Sequence, residues 1–117
     1  MAHLIAGAAI APIAEETVFR GVAQTAWRVS VGTGAAIVRS AVLFSAAHVI
    51  FVGGDSFAAA VAAAGVGFLG RLPIALILGW AFARRGSLWA SIGLHTAFNG
   101  VLIVAAELIV AGRTIGA

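Results

Sequence analysis

Between Arg85 and Glu107 the chain carries no Asp, Glu, Lys or Arg, and the stretches from Asp55 to Arg71 and from Arg71 to Arg84 are equally bare. A soluble domain of this size leaves much of its surface in water and needs charged side chains to cover it. Here 62% of residues are hydrophobic and 9% are charged, so the solvent around most of the surface is lipid. Lipid admits helices, which satisfy their backbone groups internally, or closed barrels. Period-two alternation is absent, while Ala, Leu, Ile and Val run together. The expectation is therefore an all-α, polytopic transmembrane bundle of about four membrane helices, with residues 1–117 forming one membrane-embedded domain.

A spanning helix takes about 20 predominantly apolar residues. The first is expected over about residues 3–27, followed by the connector RVSVGTG; the second, over about 35–51, runs into the turn-forming VGGDS. The third is expected over about 57–83, with a break at GRLP, where Pro73 lacks a backbone donor. Ser87 suits the N-cap of a fourth helix reaching about residue 110. The opening residues lack a basic leader segment and read as membrane helix rather than as a signal peptide.

Arg28 follows the first helix, and Arg84 and Arg85 follow the third, so all three lie on one side of a four-helix path. The positive-inside rule makes that side cytoplasmic. Trp27, Trp80 and Trp89 fall toward the same helix ends, as interfacial anchors do. The net charge of +3 comes from scattered arginines rather than a basic stripe with aromatics, so a nucleic-acid interface is not indicated. Exclusive use of Arg over Lys fits a GC-rich, prokaryotic coding source, and the absence of Cys rules out disulfides and thiolate metal sites. GVGFLG at residues 65–70 matches a dinucleotide fingerprint only literally: no strand precedes it and no acid lies near 20 residues on. Its small residues suit close helix packing instead.

Against this background AEETVFR at residues 14–20 stands out. A charge at the bilayer centre costs at least about 2.5–3.5 kcal/mol, so such groups persist when paired, hydrated or functional. Glu16 and Arg20 are four apart and share a helix face, with Gln24 continuing the stripe; Glu15 is rotated by about 100° and is left to face something else. The second helix carries FSAAH, with Phe44 and His48 on one face. The fourth places Ser91, His95 and Asn99 at successive four-residue steps. Counted at about 1.5 Å per residue from the expected cytoplasmic ends, Glu15 lies about 18 Å deep, His95 about 12 Å and His48 about 24 Å. All three scatter around the middle of the membrane. A carboxylate and an imidazole together can deprotonate a water for attack on a carbonyl. A second His and an Asn can donate to the oxyanion that forms. The residues thus point to an intramembrane hydrolase using activated water, with Ser45 and Ser91 left open as nucleophiles. Arg71 lies deep in the third helix with no partner assigned, Arg39 is placed to snorkel, and Glu107 is placed to meet Arg113.

Taken together, EETVFR, FSAAH and HTAFN resemble the three motifs of the CAAX prenyl protease and bacteriocin-processing (Abi) family of intramembrane proteases, a likeness extending over about residues 5–112. The resemblance implies a glutamate-dependent endopeptidase acting on a membrane peptide or a lipid-modified protein in the bilayer. Glu15 would activate water with His48, His95 and Asn99 would stabilise the oxyanion, and Glu16, Arg20 and Phe44 would support the site. It implies no cofactor; if zinc is bound, its ligands would be Glu15, His48 and His95. Family members carry several helices before the double glutamate, so the resemblance also implies a short or N-terminally incomplete form, with room for a homo-oligomer. A prokaryotic source would favour a bacteriocin-type or other membrane peptide as substrate. The competing expectation is a non-enzymatic immunity or scaffold protein that retains the fold.

Overall fold

The computed structural model describes residues 6–115, with side chains from 8 to 112, so the expected start of the first helix at residues 3–5 and the expected Glu107–Arg113 pairing lie outside it. The first helical run is wound in segments: a π-helical turn over Ala6–Ile10, α-helix over Ala11–Glu16, π-helix over Thr17–Gln24 and α-helix from Thr25 to Ala47. It is not one rod. Gly32 has φ 79° and ψ 167°, a conformation that a side chain disfavours, and the chain reverses there. A continuous helix would hold residues 19 and 44 about 37 Å apart, whereas the Phe19 and Phe44 ring centroids are 5.2 Å apart. We therefore distinguish α1 (residues 6–31) and α2 (residues 33–47). α3 spans Phe57–Arg85 and α4 spans Leu88–Ile115. Four helices result, as the apolar runs imply, and α3, α4 and the folded α1–α2 run are each long and apolar enough to cross a membrane.

Several boundaries differ from the sequence expectation: the segment RVSVGTG, expected as a connector, is helical apart from the turn at Gly32, because the reversal needs only that one residue. α2 ends at Ala47, four residues early, because His48 sits in the C-cap and the chain passes through turns into the Gly53–Gly54 loop. α3 is not broken at GRLP: it continues through Pro73. One missing donor leaves the flanking turns intact, and membrane helices tolerate such a proline. α4 extends past residue 110. The α3 start is capped by Ser56, whose hydroxyl accepts from the Ala59 amide at 3.1 Å, and its end by Gly86 in the left-handed region at φ 63°.

Packing is inverted relative to a soluble protein. Phe51, Phe57, Val29 and Trp89 are largely exposed, as lipid-facing side chains are, whereas Glu16, Arg20, Gln24, Ser40, Ser45, Ser91 and His95 are buried. The apolar core is small, centred on Ala41, Phe44 and Ala75, with Phe19, Leu72 and Leu76 against it. Small residues set the closest approach: a Cβ on Gly79 would lie 2.9 Å from Gln24 Oε1 and 3.2 Å from Ile37 Cγ2. GVGFLG lies wholly inside α3. α1 packs against each of the other three helices and thereby carries its polar stripe into the middle of the bundle.

Candidate active site

The site is built from the face of α1 that carries Glu16, Arg20 and Gln24. An α-helical stripe of residues four apart drifts around the helix by about 40° per step. The wider π winding over Thr17–Gln24 changes that repeat, and all three side chains are fully buried. The unusual winding has local support: Thr17 Oγ1 donates to the Ile13 carbonyl at 2.7 Å, and Thr25 Oγ1 to the Arg20 carbonyl at 3.0 Å. From α2, Ser40 Oγ donates to the Phe19 carbonyl at 2.8 Å.

Arg20 binds Glu16 Oε1 through Nη1 at 2.9 Å and the Ala75 carbonyl of α3 through Nη2 at 2.9 Å. One turn on, Gln24 Nε2 donates to the Gly79 carbonyl at 2.9 Å. The expected Glu16–Arg20 pair is thus present, and it also ties α1 to α3. Glu16 has a second partner that spacing did not assign, His95, whose Nδ1 lies 2.8 Å from the same Oε1. Phe44 is the apolar centre of the site. Its ring sits 4.7 Å below the Arg20 guanidinium carbon, 4.3 Å from the His48 ring and 5.6 Å from the His95 ring.

Glu15 points elsewhere, as its rotation predicts. Its Oε2 lies 3.6 Å from His48 Nε2 and 3.7 Å from His95 Nε2. The two imidazoles are held alike. His48 Nδ1 lies 2.8 Å from the Phe44 carbonyl, which can only accept, so that nitrogen carries a hydrogen; His95 Nδ1 faces the Glu16 carboxylate. Each ring therefore presents Nε2 to one and the same carboxylate oxygen. The separations are too long for direct hydrogen bonds and suit a water held among the three atoms. Depth counts along the separate helices spread over about 12 Å, yet the three groups converge, because counting along a helix fixes no height relative to its neighbours.

His48 and His95 form part of the wall of a cavity of about 360 Å³. Asn99, one turn beyond His95 on α4, lines the same cavity. So does Arg71 of α3, a residue the sequence reading left unassigned; an arginine in the middle of an apolar helix was the signal available. Neither serine is arranged as a nucleophile beside a base. Ser91 Oγ donates to the Leu88 carbonyl, and Ser45 is fully buried. Among the described residues no group of three or more His, Cys, Asp or Glu is arranged to hold a metal ion.

Comparison with known proteins gives one result. A family model described as Type II CAAX prenyl endopeptidase Rce1-like matches residues 1–101. No curated protein and no solved structure matches the chain.

Proposed function

Because the chain belongs to the Rce1-like family of type II CAAX prenyl endopeptidases, we propose that it hydrolyses a peptide bond of a membrane-associated, CAAX-type substrate within the bilayer, using water activated at Glu15. The observation that carries this reading is the convergence of His48 Nε2 and His95 Nε2, from two other helices, on Glu15 Oε2 at 3.6 and 3.7 Å. In the proposed reaction a water sits among these three atoms. Glu15 takes its proton as the oxygen attacks the substrate carbonyl, and the Glu15 carboxyl then returns that proton to the departing amine. His48 orients the water through Nε2, its ring fixed by the Phe44 carbonyl and stacked against the Phe44 side chain.

The oxyanion requires donors placed in advance. Asn99 supplies a carboxamide from the cavity wall. His95 turns Nε2 toward the same space, its ring held at Nδ1 by the Glu16 carboxylate. Glu16, Arg20 and Phe44 act by holding His95, α3 and the two rings in place. No step is routed through a metal.

Thr33 and Arg84 line one small cavity, which supports placing the Gly32 turn and the Arg84–Arg85 end of α3 on the same side. With Arg28 near them, this is the cytoplasmic side in the proposed orientation, and a prokaryotic cell membrane is the proposed location. A homo-oligomer would leave the residues of the site within each chain.

The test is turnover of a prenylated CAAX peptide by the full chain in proteoliposomes. Glu15→Gln keeps size and hydrogen bonding but removes the base, and is expected to lower turnover by about a thousandfold. Turnover within a few-fold of wild type would reject Glu15 as the base. Absence of cleavage by an inserted wild-type chain would favour the scaffold alternative.

A further inference from the structure

Arg71 lies at the middle of α3, about 21 Å from either end of that helix. Its side chain is exposed, and among the described residues it hydrogen-bonds from Nη1 to the Gly67 carbonyl at 3.1 Å. Among the described residues no carboxylate is paired with it. The contrast with Arg20, which is buried and neutralised by Glu16 one helical turn away, is direct. An uncompensated guanidinium at this depth is costly unless water or an anion reaches it. The cavity provides the access: Arg71 shares its wall with His48, His95 and Asn99. Gly67 provides the seat, since a Cβ there would lie 3.2 Å from Arg71 Nη1 and 3.1 Å from Val49 Cγ1.

We propose that Arg71 binds the free C-terminal carboxylate of the peptide whose upstream bond is cut at Glu15, and so selects substrates cleaved close to their C-terminal end. A guanidinium matches a carboxylate with two parallel N–H donors, which is why Arg suits this task. The spacing fits. The Ala75 carbonyl marks the level of the Arg20–Glu16 clamp, and Gly67, where the Arg71 guanidinium rests, lies eight residues back along α3, about 12 Å. About three residues of extended peptide cover a comparable distance. The carboxylate thereby acquires a cationic partner, while the chain end lies along the apolar part of the cavity wall.

This inference rests on the protease reading, but its test does not require turnover. The probes are two prenylated CAAX peptides whose scissile amide is replaced by a methylene-amine isostere, one ending in a free carboxylate and the other in a carboxamide. Binding of both to the full wild-type chain in nanodiscs is measured by fluorescence anisotropy. The acid is expected to bind at least about tenfold more tightly, a difference on the scale of one charge-assisted pair. Arg71→Gln is expected to bind both alike. Arg71→Met, which the bilayer accepts more readily than Arg, gives the same readout if the Gln variant fails to insert. Equal binding of acid and amide by wild type, or a preference that survives both substitutions, overturns the proposal. Either result leaves the Glu15 experiment to be judged separately.

Discussion

Glu15 and Glu16 are neighbours in sequence, yet they belong to two different environments. Glu16 sits in a dry clamp: it and Arg20 are 0% exposed, and the clamp joins α1 to α3 through the Ala75 and Gly79 carbonyls and to α4 through His95. Glu15, 27% exposed, faces two imidazole nitrogens at 3.6 and 3.7 Å. A rotation of about 100° between adjacent helical residues produces this separation. In a membrane, one charge can be used to hold helices together only if its counter-charge is built in, and another can do chemistry only if water can reach it. The double glutamate supplies both from one turn of helix.

Substitutions that separate the clamp from the cavity test this contrast. The largest effect is expected for Glu15→Gln, with turnover reduced by about three orders of magnitude while the melting temperature of the reconstituted chain stays close to wild type. Next comes Glu16→Gln, which strands the buried Arg20 and withdraws a partner from His95. Breaking a buried pair from one side costs about 3–5 kcal/mol, to be read as a lower denaturation midpoint in mixed micelles. Gly79→Ala pushes a methyl against Gln24 Oε1 of the clamp and against Ile37 of α2. Overpacking of this kind costs about 1–3 kcal/mol, and thermal unfolding of the variant should show it. The smallest effect is expected for Ser40→Ala, which removes the α2 donor to the Phe19 carbonyl in the π segment. A loss of about 1 kcal/mol is expected, with faster amide exchange in residues 17–24 as the local signature.

Composition and run length made the helical membrane class legible, because lipid leaves so few alternatives. The Glu16–Arg20 pair was legible for a similar reason: four-residue spacing is local, and a charge in lipid demands a partner. Glu15, His48, His95 and Asn99 could be singled out as polar groups on apolar helices; His48, His95 and Asn99 line one cavity, and Glu15 lies 3.6 and 3.7 Å from the two imidazoles. Three features could not be read. The π winding of residues 17–24 coincides with a tertiary hydrogen bond from Ser40 as well as local ones from Thr17 and Thr25. The bond from His95 to Glu16 spans 79 residues, and its sharing of Oε1 with Arg20 is a matter of helix placement. Pro73 was misleading because its local cost suggests a break, whereas the surrounding turns of α3 carry the helix through. Arg71 lay between these cases: its position marked it as anomalous, but only the cavity gave it neighbours.

The most direct measurement takes Glu15→Gln and Glu16→Gln side by side, recording turnover of a prenylated CAAX peptide and the melting temperature of each variant in the same lipid. The account predicts a crossed result, with Glu15→Gln inactive at near wild-type stability and Glu16→Gln clearly destabilised. If Glu15→Gln instead retained turnover, or if it unfolded while Glu16→Gln remained stable and active, the assignment of one glutamate to water and the other to the clamp would be contradicted.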